Sequence, residues 1–167
     1  MTNALKRPIV VGGIVLAALM VFTALASGLA LAGGNGKHWT APLDGSQEVP
    51  AVDSNGTGVA KFKLSKDGTS ISYKLNVANL DDVVQSHIHI APAGVNGSVV
   101  VFLFGPAAGG VTVNGTLAEG TITAAQLVGP LVGADLADLV DEMNAGNAYV
   151  NVHTLANPGG EIRGQIK

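Results

Sequence analysis

The chain contains no cysteine among its 167 residues, which limits both its chemistry and its means of stabilisation. Without a thiol it forms no disulfide, zinc–thiolate site or iron–sulfur cluster, and it has no cysteine nucleophile. Aromatic residues make up only 4% of the chain, too few for a platform on which sugars or bases stack. A metal bound by this chain therefore has no thiolate ligand.

Basic residues are also few. Nine Lys and Arg face twelve Asp and Glu, so the formal charge is −3, and losing Lys6 and Arg7 with a leader would make it −5 (−3 − 2). Phosphate binding needs clustered basic side chains, so no nucleic-acid partner is expected. Glycine, by contrast, is abundant, with 23 residues. Many tight turns and little charge favour an all-β domain over a helical bundle.

Residues 1–32 have the composition of a targeting segment. Lys6 and Arg7 precede an uncharged, largely apolar run that ends in Ala30-Leu31-Ala32, as in a secretory signal peptide. The run is also long enough to span a bilayer, so an uncleaved membrane anchor is the alternative. Both interpretations predict an exported protein (periplasmic, extracellular or at the cell surface), in contact with a membrane only through this segment. Residues 33–37 are predicted to be a flexible entry to one domain at 38–167.

Alternation of apolar and polar residues between turn signals predicts about eight short strands. They lie at 38–43, 59–64, 71–77, 83–90, 98–104, 116–122, 148–154 and 161–166. The strand at 98–104 is apolar almost throughout, which predicts a central position with both faces buried. A capping box at Thr123 and Gln126, followed by helical spacing, predicts one short helical excursion at about 123–145. The fold class is therefore all-β, either a Greek-key β-sandwich or a small barrel.

Three of the four histidines occupy matching positions in two of these strands. His87 and His89 alternate with Ile88 and Ile90, and His153 follows Val152 in the same alternation. Because successive side chains in a strand point to opposite faces, the isoleucines and valines face the core and the imidazoles point outward. The function depends on whether these two strands are neighbours.

If they are neighbours, His87, His89 and His153 form a three-imidazole metal site. Imidazole suits copper and zinc, and Cu(II) binds most tightly among the common divalent ions. Binding should weaken as the pH falls through about 6.5, where an unperturbed histidine gains a proton. The alternative is that the imidazoles only form hydrogen bonds, for example with Asn151 or Thr154. His38, beside the flexible entry, is a further candidate ligand but suits a solvated position better.

Arg163 is the only arginine after the leader and is expected to be structural. The planar guanidinium favours bidentate pairing with a carboxylate, and Glu48, Glu161 and Asp44 are the candidate partners.

No Ser-His-Asp order, phosphate-binding loop, metalloprotease helix or pair of catalytic carboxylates is found, so no catalytic and no cofactor-binding residue is predicted beyond the metal candidates.

Four motifs together resemble the CHRD (chordin-type) domain family. They are the stretch 43–50 (LDGSQEVP), 87–89 (HIH), 151–154 (NVHT) and 157–166 (NPGGEIRGQI). The resemblance extends from about Trp39 to Lys167 and implies an exported β-domain with no agreed activity.

Copper/zinc superoxide dismutases also carry a His-x-His strand and a later Val-x-His strand in a Greek-key sandwich. This chain has too few histidines for a two-metal site and no disulfide, so dismutase activity is not implied.

The sequence thus predicts an exported module that binds a protein or envelope partner, without catalytic activity. The alternative is a mononuclear copper protein, or less readily a zinc protein, that acts as a carrier or a weak redox enzyme through His87, His89 and His153.

Overall fold

The computed structural model describes residues 36–167. The predicted leader at 1–32 and the first three residues of the predicted entry segment lie outside these residues. No helix within 36–167 is long and apolar enough to cross a membrane.

Eight strands and one α-helix make up the described chain. In chain order they are β1 (His38–Asp44), β2 (Thr57–Leu64), β3 (Ile71–Ala78), β4 (Val83–Ile90), β5 (Ser98–Phe104), β6 (Gly115–Ile122), α1 (Leu136–Ala145), β7 (Ala148–Thr154) and β8 (Ile162–Gln165). The strands form one antiparallel sheet in the order β5-β4-β7-β8-β1-β2-β3-β6. The all-β prediction with one short helix is confirmed.

The sheet curls until its two ends approach each other, as in a nearly closed barrel. The Tyr73 hydroxyl on β3 donates a hydrogen bond of 2.8 Å to the Leu103 carbonyl on β5, which lies at the opposite end of the strand order. The backbone amide of Val128 donates to the Val100 carbonyl at 2.9 Å, so the linker before α1 covers part of the β5 edge. A covered edge offers fewer unpaired backbone groups to another chain.

Inward-facing side chains from nearly every strand form one core. In β1, for example, Trp39, Ala41 and Leu43 are buried, while the residues between them are exposed. The same alternation buries Phe62 on β2 and Leu75 on β3. Burying each large apolar side chain contributes about 1.5–3 kcal/mol relative to leaving it exposed. The two strands that carry the histidines, β4 and β7, are part of this sheet, and its packed core holds them in position.

The predicted central position of 98–104 is wrong, because β5 is the last strand at one end of the sheet. Its Phe102 is 54% exposed, although Val100 and Val101 are buried. The apolar pattern was misleading because the outer face of β5 adjoins imidazole rings: Phe102 packs edge-on against His87, with ring centroids 4.9 Å apart. An aromatic residue on this strand therefore does not require a second hydrophobic layer.

The helical excursion at 123–145 consists of three pieces. The capping box of Thr123 and Gln126 is present, but it caps a single 3-10 turn at Ala124–Gln126. A second 3-10 turn at Gly129–Leu131 includes a proline, which cannot donate a backbone hydrogen bond. Helix α1 follows and ends where Gly146 adopts a left-handed conformation (φ 72°), as is common at helix C-termini.

Candidate metal centre

The two histidine strands are neighbours in the sheet. β4 and β7 pair antiparallel, with His87 opposite Asn151 and His89 opposite Tyr149. Residues opposite each other in such a pair share a face, so all three histidines lie on the side of the sheet away from the core. Ile88 on the other face is fully buried, as the alternation predicted.

The outward-pointing imidazoles are nevertheless shielded from solvent. His87, His89 and His153 are only 4%, 8% and 6% exposed. Residues 91–97, between β4 and β5, fold over this face and are held there by several hydrogen bonds, two of which involve Gln165 and Tyr149. Gln165 Nε2 donates to the Ala91 carbonyl at 3.0 Å, and the Gly97 amide donates to the Tyr149 hydroxyl at 3.1 Å. The loop converts a surface position into a closed site, which strand alternation alone does not reveal.

Hydrogen bonds to the backbone determine which ring nitrogens carry hydrogen. Nδ1 of His89 lies 2.9 Å from the Gly97 carbonyl, and Nδ1 of His153 lies 2.9 Å from the Pro158 carbonyl. A carbonyl oxygen only accepts, so each Nδ1 is the donor and each neutral ring has a free lone pair on Nε2. Metal-binding histidines are commonly oriented in this way by an acceptor on the opposite nitrogen.

The third imidazole completes the group. His87 Nδ1 lies 3.1 Å from His153 Nε2, so it donates to that lone pair in the metal-free protein. His87 Nε2 is then a buried acceptor without a hydrogen-bond partner. One ligand atom from each of His87, His89 and His153 lies within 4.8 Å of the other two, and this is the one such group among residues 36–167. His38 is exposed at the start of β1 and is not part of it.

Aromatic side chains hold the three rings in place. His89 stacks on Tyr149, with centroids 4.8 Å apart and an interplanar angle of 8°. On the other face of Tyr149 the guanidinium carbon of Arg163 lies 3.4 Å from the ring centroid. A cation over an aromatic face is attracted to the ring, more strongly where water is excluded. Packing thus restricts rotation of His89 about its side-chain bonds, so its ligand atom is held in position.

Arg163 is 1% exposed and bonds to neutral acceptors on the covering loop. Its two terminal nitrogens donate to Asn96 Oδ1 at 3.1 Å and to the Val95 carbonyl at 2.8 Å. Glu48 is close enough for its pKa to respond to the guanidinium charge, but its Oε1 is buried without a hydrogen-bond partner. Within residues 36–167 one pair of oppositely charged side chains comes closer than 4.0 Å. It is the exposed pair of Lys74 and Glu119, and it does not include Arg163.

The other two candidate partners of Arg163 are hydrogen-bonded elsewhere. Glu161 accepts from the Ser54 hydroxyl at 2.7 Å and from the Thr154 hydroxyl at 2.6 Å. Asp44 is opposite Arg163 in the β1–β8 register, but its side chain accepts from Ser46 and Gln47.

Sequence reasoning did not assign a role to Tyr149 or Gln165, both of which lie on the histidine face. The signal was available, because Tyr149 occupies the same alternating set as Asn151 and His153. Asn151 was considered only as a hydrogen-bond partner. In the structure its Oδ1 lies 3.0 Å from Nε2 of both His89 and His153.

Burial lowers the pKa of all three imidazoles, and the neighbouring imidazoles add to the effect at His87, whose pKa falls to about 4. Burial has the opposite effect on Glu48, raising its pKa to about 7 against the opposing charge of Arg163. Between pH 6.5 and 4.5 the unfolded chain gains a proton on His87 that the native state does not, and the lowered pKa values of His89 and His153 act in the same direction. Native Glu48, in contrast, keeps a proton that the unfolded chain has lost. A difference of one proton changes stability by about 1.4 kcal/mol per pH unit, so His87 and Glu48 nearly offset each other and the other two histidines decide the sign.

Metal-free protein is therefore expected to be less stable at pH 5 than at pH 7. Urea unfolding of chelator-treated protein at both values measures this, and Glu48→Gln should make the decrease steeper because it removes the opposing term. The lowered pKa of Glu161 acts in the same direction as the histidines but contributes little above pH 5, where an unperturbed glutamate is already mostly ionised. An unfolding midpoint that is equal or higher at pH 5 would contradict the buried, neutral state of the imidazoles.

Comparison with protein families gives one result for this chain. A family model described as CHRD domain matches residues 39–166, which includes all eight strands except the first residue of β1. Comparisons with curated proteins and with solved structures find no match.

Proposed function

This chain belongs to the CHRD domain family, and we propose that it is a module that binds one copper ion between His87, His89 and His153. The proposal retains the expectation of an exported protein, based on residues 1–32. Holding an ion is favoured over reacting with a substrate, because each imidazole is at least nine-tenths buried. We therefore propose a carrier or storage role rather than catalysis.

One observation carries the proposal: more lone pairs than hydrogens converge at the centre of the histidine group. The Nε2 atoms of His89 and His153 are acceptors because each Nδ1 donates to a carbonyl. The single hydrogen facing them belongs to His87 Nδ1. A buried acceptor without a donor is costly, on the order of 1–3 kcal/mol. A cation offsets this cost by accepting all the lone pairs, once the hydrogen on His87 Nδ1 shifts to its unpartnered Nε2.

The type of ligand, rather than the spacing of the nitrogens, favours Cu(II) over zinc. Two nitrogens 3.1 Å apart and about 2.0–2.1 Å from an ion subtend roughly 100° at that ion. This angle lies midway between the 90° of tetragonal copper geometry and the tetrahedral angle that zinc adopts, so it admits both ions. Copper binds more tightly than zinc to any given set of nitrogen ligands.

Metal analysis of tag-free protein after dialysis tests the proposal. Protein equilibrated with equal concentrations of Cu(II) and Zn(II), then dialysed, is expected to retain one copper per chain and little zinc. A variant with alanine at all three histidines is expected to retain neither metal. Absence of stoichiometric copper from the wild type, or retention of copper by the triple variant, would show that the histidine group is not a copper site.

A further inference from the structure

The imidazoles are not the only acceptors that converge at the centre of this site. Asn151 lies in the middle of β7, opposite His87 on β4 and Arg163 on β8, and is 4% exposed. Its Oδ1 is 3.0 Å from Nε2 of His89 and 3.0 Å from Nε2 of His153. Resting on the copper site proposed above, we infer that Asn151 Oδ1 is a fourth ligand to the ion and that Glu48 holds the Asn151 amide in the required orientation.

The two short contacts of Asn151 Oδ1 are not ordinary hydrogen bonds. Both Nε2 atoms lack hydrogen because Nδ1 of each ring donates to a carbonyl, and an amide oxygen has no hydrogen either. An acceptor oxygen 3.0 Å from each of two acceptor nitrogens is repelled by both unless a cation lies among them. At metal–ligand distances of about 2.0–2.2 Å, each nitrogen–oxygen pair subtends roughly 90°. The amide oxygen therefore fits a tetragonal N₃O arrangement, which is typical of Cu(II) or Ni(II).

Turning the amide over would place its NH₂ group toward the imidazoles, and Glu48 opposes that orientation. Asn151 Nδ2 and Glu48 Oε1 both border Gly160: a Cβ at that position would lie 3.0 Å from Nδ2 and would collide with Oε1. Glu48 is 7% exposed, and its Oε1 has no hydrogen-bond partner, so it needs a donor on this side. Asn151 Nδ2 and Glu48 Oε1 form no hydrogen bond, but an ionised Glu48 favours an amide nitrogen over an amide oxygen on its side of Asn151, because a carboxylate only accepts.

Gly160 provides the space in which these two groups meet. Its φ of +124° lies in a region that residues with a side chain rarely adopt, and the missing Cβ leaves room for both Glu48 and Asn151. Glu48 is thus a positioning residue, which acts on the ion only through the orientation of Asn151.

Copper-loaded protein tests the ligand directly. Electron–nuclear double resonance on Cu(II) protein, compared in H₂O and in D₂O, identifies the exchangeable protons of coordinated water, because deuterons replace them in D₂O. The wild type is expected to show none in the plane of the site, because Asn151 occupies that position. Asn151→Ala is expected to admit water, to show these protons and to bind Cu(II) about 10–100-fold more weakly. Asn151→Asp, which keeps an oxygen at the same distance, is expected to bind within a few-fold of the wild type or more tightly.

The positioning role of Glu48 is tested with one variant that lacks the side-chain oxygen atoms and a second that keeps one of them. Glu48→Met is expected to weaken Cu(II) binding about tenfold and to give a second copper signal from molecules with the amide reversed. Glu48→Gln keeps a side-chain oxygen as an acceptor near Asn151 and should restore a single signal. Glu161→Gln is the matched control, because that carboxylate is held by Ser54 and Thr154, and its copper spectrum should remain that of the wild type.

The outcomes separate this inference from the proposed function. Wild-type protein that binds one Cu(II) through three imidazoles, yet already shows coordinated water unchanged by Asn151→Ala, overturns the role of Asn151 alone. A single wild-type-like signal and affinity in Glu48→Met overturns the role of Glu48. Wild-type protein that binds no stoichiometric copper overturns the proposed function, and the inference with it.

Discussion

Replacing His153 with alanine is expected to weaken Cu(II) binding by more than about 100-fold, as much as His87→Ala or His89→Ala. Loss of a group that merely orients a ligand costs about 10–100-fold, and loss of an imidazole, which binds Cu(II) more strongly than an amide oxygen or water does, should cost more. The expectation depends on the pairing of β4 with β7, which brings His153 Nε2 to 3.1 Å from His87 Nδ1 although the residues are 66 positions apart in the chain.

Isothermal titration calorimetry of tag-free single variants at pH 7 measures this loss. His38→Ala is the matched control: it removes the remaining histidine, which is exposed on β1, and should bind Cu(II) as the wild type does. If His153→Ala also binds like the wild type, the two strands do not share a site.

The pH dependence of copper binding should differ from that of exposed histidines. Because burial lowers the pKa of His87, His89 and His153, protons compete with the metal less effectively at pH 6.5 than an unperturbed pKa implies. The decrease in affinity expected from the sequence near pH 6.5 is therefore displaced to lower pH.

Arg163→Lys is expected to destabilise the protein by about 3 kcal/mol or more, although the charge is kept. Hydrogen bonds made by a charged group contribute about 1.5–3 kcal/mol each, and the guanidinium makes two, to Asn96 and Val95, while stacking on Tyr149. A lysine ammonium does not reproduce this planar geometry, and at a position 1% exposed it leaves a charge incompletely paired.

Urea unfolding of wild type and Arg163→Lys measures this effect. Lys74→Met is the control, because it removes an exposed ion pair with Glu119, which contributes about 1 kcal/mol or less. Arg163→Lys should also weaken copper binding, since the loop it holds includes Gly97, whose carbonyl orients His89. A midpoint equal to that of the wild type would mean that the guanidinium does not fix the loop.

The strands were determined by the sequence itself. Alternation of period two is a local property, and the bounds predicted for β4, β5 and β7 agree with the structure to the residue. Helical spacing is local as well, so the end predicted for the helical excursion, at about 145, agrees with the end of α1 at Ala145. The place of a strand in the sheet is not local. β5 was predicted to be central because its residues are apolar, whereas the order of strands depends on how the whole chain closes.

For the candidate site, too, the sequence determined some features and the tertiary structure decided the others. Alternation within each strand was enough to place His87, His89 and His153 on one face of the sheet. Only the tertiary structure decided that this face is buried, because its cover is the loop 91–97, held by Arg163 and Gln165 of β8. The tertiary structure likewise brought Glu48 and Asn151, more than 100 residues apart in the chain, to the same gap at Gly160. Contacts of this kind are fixed by long-range packing, which leaves no periodic signal in the residues that make them.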